Sequence, residues 1–498
     1  MKRSCNIFWL AALFFLTSCA VGPDYVRPPT PASLKYKELP AKGWKRAAPC
    51  DMCDRGQWWK IFRDPQLDML EAQLNITNQN IVQAAAQYRQ AKALEDEASA
   101  SFFPTLAGTF SVMRQKQGSS SSATASTTSA SSSSVPSAGS STTITAGKTG
   151  SVFNSNSWLL DANWEPDIWG SVRRTVEAAA DNAQSLAAAI SAARLSAQGS
   201  LAQLYFQVRN LDSDQRLLDD TVRDYQKALT LTRNRYRAGV AARTDVVQAE
   251  SQLEQAQALA LNNHILRAQS EHAIAVLMGM PPIDYSQRKE SLRTFTPRIP
   301  VEVPSILLER RPDVAAAERL VAQANAQIGI AISAYYPTIT LTSTGSQSSH
   351  GFAHWFSIPG VSWSLGAQLA ETFLDGGLRG ATVKAARENY LATVAAYRLT
   401  VLTAFQNVED SLVALRVLRK QTVVQDKAAA SARFALELVM NQYKSGTVAY
   451  SDVITAQTTA YTAQKAAVDT HGLQKVAAVG LIKALGGGWD SKEIFQPQ

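Results

Sequence analysis

Four short runs of the chain alternate apolar and polar residues. In the first, Leu106, Phe110 and Val112 oppose Thr105, Ala107, Thr109 and Ser111. In the second, Trp158, Leu160, Ala162 and Trp164 oppose Asp161, Asn163 and Glu165. Ile339 and Leu341 oppose Thr338, Thr340, Thr342 and Thr344 in the third. In the fourth, Val361, Trp363, Leu365, Ala367 and Leu369 oppose Ser362, Ser364, Gly366, Gln368 and Ala370. A period of two predicts strands near residues 104–113, 156–165, 338–345 and 361–370. Each is about as long as the roughly 9–11 residues that a membrane strand needs. A lipid-facing apolar side and a polar side toward a wet lumen are what a transmembrane barrel strand requires. A soluble, half-buried hairpin has the same period. Four strands cannot close a barrel alone, and an open strand edge is not tolerated in lipid. If these strands span a membrane, the chain must oligomerise.

Between the runs lie long stretches rich in Ala, Gln, Leu, Arg and Glu, mostly good helix formers. Pro166 and Pro281 are separated by 114 residues without proline, and Pro359 and Pro497 by 137. A helix of about 60 residues would be roughly 90 Å long, so coiled-coil-like packing is expected. Alanine runs such as Ala178–Ala180 and Ala187–Ala189 allow close helix approach.

The two halves repeat. Phe103-Pro104-Thr105-Leu106 matches Tyr336-Pro337-Thr338-Ile339, and Gly170-Ser171-Val172-Arg173 parallels Gly376-Gly377-Leu378-Arg379. Tyr236-Arg237-Ala238-Gly239-Val240 matches Tyr443-Lys444-Ser445-Gly446-Thr447, each followed by Asp-Val. Gly239 and Gly446 follow basic helical sequence, as residues just past a helix end should. Thr244 or Asp245, and Ser451 or Asp452, are N-cap candidates for the next helix. The first half carries about 27 extra residues, which fall in a Ser/Thr-rich tract over 117–151 with almost no apolar content. The predicted organisation is a 19–65 extension, repeat 1 over 66–280, a 281–304 linker, repeat 2 over 305–486 and a 487–498 tail.

The first 18 residues resemble a secretion leader. Lys2 and Arg3 precede an apolar run from Ile7 to Leu16. Leu16-Thr17-Ser18-Cys19 resembles the lipobox of bacterial lipoproteins, which makes Cys19 the expected lipidation site. An ordinary leader cut elsewhere would leave Cys19 incidental, but no better small-x-small site follows. Ala20 follows the Cys, with no Asp to suggest retention at the inner membrane, so the outer membrane is favoured. After the leader no run of eighteen or more apolar residues occurs, so no transmembrane helix is indicated.

Composition narrows the function. The formal charge of +8 contains no Lys/Arg block of five or more, which argues against nucleic acid. Cys50 and Cys53 form a lone C-x-x-C. Zinc would need two further ligands, a redox site would need a βαβ context, and a local disulfide is the simpler expectation in an oxidising compartment. His350 and His354 lack acidic partners for a metal site. No phosphate loop, nucleophile motif or catalytic set is present, so no enzyme, metal or cofactor is expected beyond a covalent lipid on Cys19.

At this point the sequence resembles a family, the TolC-like outer-membrane efflux factors in their lipoprotein branch. Cys19-Ala20-Val21-Gly22-Pro23-Asp24-Tyr25 resembles the mature start of that branch. Trp58-Trp59-Lys60-Ile61-Phe62-Arg63-Asp64-Pro65-Gln66-Leu67 is similar too. Leu307-Leu308-Glu309-Arg310-Arg311-Pro312-Asp313-Val314 is the most specific match. The resemblance implies a mainly α protein with a membrane β-barrel, built from two repeats of long antiparallel helices plus a β-hairpin. It implies a homotrimer sharing one barrel and one α-helical periplasmic tunnel. Its partners would be a periplasmic adaptor, an inner-membrane pump and outer-membrane lipid, and its cargo drugs or other small molecules. The long Ser/Thr tract and the C-x-x-C depart from the pattern. Protein secretion is an alternative on the same fold, and a periplasmic coiled-coil adaptor is a third reading.

The family gate lies at the periplasmic helix tips. In the family the helices turn back around the middle of each proline-free stretch, and by position the tips are expected near 207–220 and 409–422, somewhat ahead of those midpoints. The candidate gate residues are therefore Asp212 and Asp214 in the first, and Glu409, Asp410 and Arg416 in the second. Three copies of an acidic residue about a threefold axis would form a cation-attracting ring.

Overall fold

A computed structural model describes residues 20–30, 37, 56–116, 152–293, 295–297, 299, 311–349 and 361–487. Cys19, Cys50, Cys53, the 117–151 tract, His350 and His354 lie outside the described residues. Two compact units emerge. The sheet unit takes the chain up to Val21, Glu97–Arg173 and Ile330–Gly380, and the helical unit takes Gly22–Asp96, Arg174–Gly329 and Ala381–Gln498.

The sheet unit holds four antiparallel strands in the order β1-β2-β3-β4: β1 Thr105–Lys116, β2 Val152–Trp164, β3 Thr338–Ser349 and β4 Val361–Ala370. Register decides what the alternation means. Phe110 pairs with Trp158, Trp158 with Gln347, and Gln347 with Val361. Leu106, Leu160, Leu341, Leu365 and Trp363 therefore share one face. Thr109, Ser157, Thr344 and Ser364 share the other, where hydroxyls meet across strands: Ser111 and Ser157 at 2.7 Å, Thr344 and Ser364 at 2.6 Å, Ser346 and Ser362 at 2.8 Å. A one-residue slip anywhere would mix the faces.

Helices α1 Pro65–Thr77 and α2 Gln79–Ala100 precede β1. After β2 come α3 Ser171–Arg237 and α4 Arg243–Leu277, and α5 Pro312–Ser333 leads into β3. The chain ends on α6 Leu378–Ser445 and α7 Tyr450–Ala484. Both halves follow one plan, because lengths match pairwise: 22 residues in α2 and α5, 67 and 68 in α3 and α6, 35 in α4 and α7. An aspartate starts each long helix. Asp167 accepts from the Val172 and Arg173 N–H groups, and Asp375 from Gly377 and Arg379. The Arg379 guanidinium and those backbone N–H groups hold the Asp375 carboxyl down at about 2.

The helical core explains two of the motifs. A short 3-10 helix, Trp58–Phe62, buries Trp58, Trp59, Ile61 and Phe62 against Tyr205, Phe206, Ile274, Met278, Tyr397 and Ile482. Asp64 then caps α1, accepting from the Gln66 and Leu67 N–H groups, and takes the Tyr205 hydroxyl at 2.8 Å. The segment from Gly22 runs along the helices. Asn325 donates to the Pro23 carbonyl, Arg174 pairs with Asp24 at 3.1 Å, and Tyr25 donates to Glu318. Gly22 sits at φ 107°, and a Cβ there would lie 2.6 Å from the Gly329 Cα, so only glycine fits.

Both long helices end in Schellman motifs. Gly239 (φ 76°) donates to Tyr236 and Val240 to Arg235; Gly446 (φ 83°) donates to Tyr443 and Thr447 to Gln442. The next helices are capped at Ala242 and Ala449, two residues before the first N-cap candidates. Asp452 sits at the third helical position instead, where its carboxylate accepts from the Ala449 N–H.

Candidate conduit and gate

Most of the apolar sheet face is bare, although Asn156 and Gln347 on the same face are buried. Leu106 is 73 % exposed, Trp363 79 % and Leu365 76 %. A contiguous apolar surface of this kind marks contact with membrane or another protein. On the opposite face, among the described side chains, Asp161 is the one ionisable group. Among the described residues no helix is long and apolar enough to cross a membrane.

The helix turns are not where the proline-free midpoints put them. Residues 207–220 lie inside α3 and 409–422 inside α6. Neither segment contains Gly or Pro, so nothing stops the helix. The chain turns back at 238–242 and 446–449, at the two Schellman glycines. Asp212, Asp214, Glu409, Asp410 and Arg416 are therefore mid-helix residues, not tip residues.

Their surroundings differ. Asp212 is buried, 2.7 Å from the Arg267 Nε and 3.8 Å from Arg209, and it accepts from the Glu290 N–H. Arg267 donates to the Gln287 carbonyl and Arg209 to that of Arg288, while Ser213 accepts from the Leu292 N–H. Asp212 thus anchors the linker on α3. Asp214 is buried, 3.5 Å from Lys465, and desolvation raises its pKa. Glu409 accepts from the Lys37 N–H at 2.6 Å. Asp410 and Arg416 are exposed, and Gln406 donates weakly to Asp410 at 3.4 Å. Asp212→Ala leaves two guanidinium groups without their buried partner, an effect on the order of 3 kcal/mol or more. Trypsin should then cut faster after Arg288, Lys289 and Arg293. Unchanged cleavage there would remove the anchoring role.

What occupies the tips is an apolar cluster of Leu229, Ala249, Tyr443, Tyr450 and Val453. Arg235 spans the two hairpins. Its guanidinium donates to the Tyr443 carbonyl and, at 3.5 Å, to that of Lys444, and it lies 4.5 Å over the Tyr443 ring. Arg235 lies in the last turn of α3, where a cation answers the helix dipole, and that position was its only signal in the sequence. The Arg311-Pro312-Asp313 motif is a clamp. Arg311 forks onto both Asp313 oxygens, at 3.0 and 2.6 Å, and donates to the Ala484 carbonyl at the end of α7. Burial works against the Asp313 charge, but the Arg311 fork outweighs it and holds the carboxyl below the ordinary range.

A one-sided sheet and two copies of a long helical hairpin are the parts of an outer-membrane channel protomer. The outer membrane efflux protein model matches residues 70–280 and 303–487, and the chain belongs to that family. It is 28 % identical to the probable efflux pump outer membrane protein TtgC of Pseudomonas putida, over 96 % of this chain and 94 % of that protein. It is 31 % identical to the pyoverdine export outer membrane protein OpmQ of Pseudomonas aeruginosa, over 98 % of this chain and 97 % of that one. The solved outer-membrane channel OprN superposes with a TM-score of 0.79 at 25 % identity, covering 95 % of this chain and all of that one. The protein is an outer-membrane efflux channel of TolC-like fold.

Proposed function

We propose that the protein works as a homotrimer, a passive conduit carrying drugs or other small molecules from an inner-membrane pump and its periplasmic adaptor across the outer membrane. The observation that carries this reading is the sheet: one mostly bare apolar face, one hydroxyl-lined face, and free edges at β1 and β4. Repeating the β4-to-β1 contact about a threefold axis joins three such sheets into one closed barrel and leaves no edge in lipid. The names of TtgC and OpmQ, an efflux pump component and a pyoverdine exporter, support small-molecule cargo. Lipid on Cys19 is a secondary tether, and the strands do the spanning. Cys50 and Cys53 form a local disulfide. No catalytic step belongs to this chain, so the energy comes from the pump.

The gate sits at the tips, 238–242 and 446–449, and Arg235 is its latch. Asp410, exposed on α6, contributes an acidic ring within the tunnel wall, with Glu409 and Arg416 beside it. Planar-bilayer conductance of the purified trimer tests both. Losing a charge-assisted hydrogen bond of roughly 1.5–3 kcal/mol per chain should raise the open population of Arg235→Ala about tenfold or more. Asp410→Ala should lower cation preference without opening the tip. Wild-type conductance in Arg235→Ala would remove the latch, and unchanged selectivity in Asp410→Ala would remove the ring. Purified protein that conducts as a monomer, or not at all, would sink the conduit reading.

A further inference from the structure

One cavity in the helical unit belongs neither to the conduit surfaces nor to the gate. It measures about 260 Å³. Phe62, Phe206, Arg209 and Lys475 form its buried part, while Arg63, Arg293 and Phe295 form an exposed rim, with Asp64 and Glu290 between. Lys475 is only 3 % exposed. It makes no hydrogen bond or ion pair among the described residues, and its ammonium lies 6.0 Å from the centre of the Phe295 ring. A buried charge without a partner is costly, and such sites are where ligands supply the missing countercharge. Burial pushes the Lys475 ammonium down to about 8, against the opposing pull of Asp64.

The neighbouring charges say what kind of anion fits. Arg209 is already engaged, 3.8 Å from Asp212 and 3.6 Å from Glu290. Asp64 is occupied by two backbone N–H groups and the Tyr205 hydroxyl. Arg293 donates to the Arg63 carbonyl, and the Arg63 guanidinium lies 5.3 Å over Phe295. Three cations, Lys475, Arg63 and Arg293, thus line the cavity, and of these Lys475 is the buried one without a partner among the described residues. Two carboxylates at its side disfavour a dianion. Three phenyl rings provide apolar wall, and a volume below the usual range for drug-sized ligands suits a single ring.

We propose that this cavity binds a small aromatic monocarboxylate, its carboxylate on the Lys475 ammonium and its ring between Phe62, Phe206 and Phe295. The site does not depend on the conduit reading, because binding is measurable on the full-length protein in detergent without any membrane.

Equilibrium dialysis with radiolabelled benzoate is the test. Saturable binding of one benzoate per chain is expected, and Lys475→Met should weaken it by about tenfold or more, the effect of losing one charge-assisted contact. Lys475→Arg should retain most of it, and Lys427→Met, at an exposed lysine, all of it. Benzoate binding that survives Lys475→Met overturns the proposal. So does the absence of saturation. Wild-type protein supplies a test that needs no variant: saturation-transfer NMR should show benzoate bound and benzyl alcohol, its neutral analogue, not. Equal signals would leave only an apolar hole. Inorganic phosphate that displaces benzoate at matching concentration would refute the monocarboxylate class.

Discussion

Leu365→Arg should abolish assembly in the outer membrane, while Ser364→Arg, one residue away, should assemble. Leu365 lies mid-strand in β4, opposite Ser343, on the face shared with Leu106, Leu160 and Trp363. Ser364 lies on the other face, opposite Thr344, with their hydroxyls 2.6 Å apart. Arginine at the lipid-facing midplane of a barrel strand costs roughly 2–4 kcal/mol, and the proposed trimer would carry three copies in each closed barrel. A guanidinium on the lumen face stays in water and costs little. The outer-membrane fraction and the yield of trimer on unheated gels measure the contrast. If both variants assemble equally well, the bare face does not meet lipid, and the strands form a half-buried soluble hairpin instead. If both fail, strand packing rather than lipid contact is the sensitive quantity, and Leu365→Ala then separates the two.

Much of this design is legible in the sequence. The fourth strand was visible end to end because Val361 to Ala370 alternates without interruption. The third runs on to Ser349, four residues past its readable alternation. Ser346 and Ser348 carry no apolar contrast with their neighbours, and what holds that end is pairing with β2 and β4. Gly239 and Gly446 announced the helix ends correctly, since only a left-handed residue lets the chain leave a helix in that way. The tips were nevertheless placed about midway along the proline-free stretches, which assumed that the two arms of each hairpin have equal length. They do not, because α3 has 67 residues and α4 only 35. That assumption made Asp212 look like a solvated tip residue, whereas it is a buried anchor whose partners, Arg267 and the Glu290 backbone, come from 55 and 78 residues away. Long-range partners of this kind leave no trace in local spacing. Lys475 was equally hidden, since a lysine in a helical, alanine-rich stretch looks like surface until burial is known.

Glu71 offers the second large effect. It lies on α1 with Leu67, Leu70 and Leu74, is fully buried, and neither carboxyl oxygen has a hydrogen-bond partner. Burial raises its pKa well above the ordinary value, and the neighbouring Asp68 charge pushes in the same direction. The folded protein therefore holds a proton that the unfolded chain releases above its ordinary value of 4.5. Stability from this group is fully present below that pH and is lost as pH rises toward the elevated folded value. Replacement by an apolar side chain of similar size removes both the pH-dependent penalty and the unmet polar burial. Glu71→Leu should gain on the order of 1–3 kcal/mol at pH 8, the range found for burying a polar group without a partner. The gain should shrink toward pH 5, where supplying the proton that the folded state keeps on Glu71 costs less. Urea or thermal unfolding of detergent-solubilised protein at the two pH values reads the difference. A variant less stable than wild type at pH 8 would mean that Glu71 holds its charge on the native assembly, and a partner outside the single chain would then have to balance it.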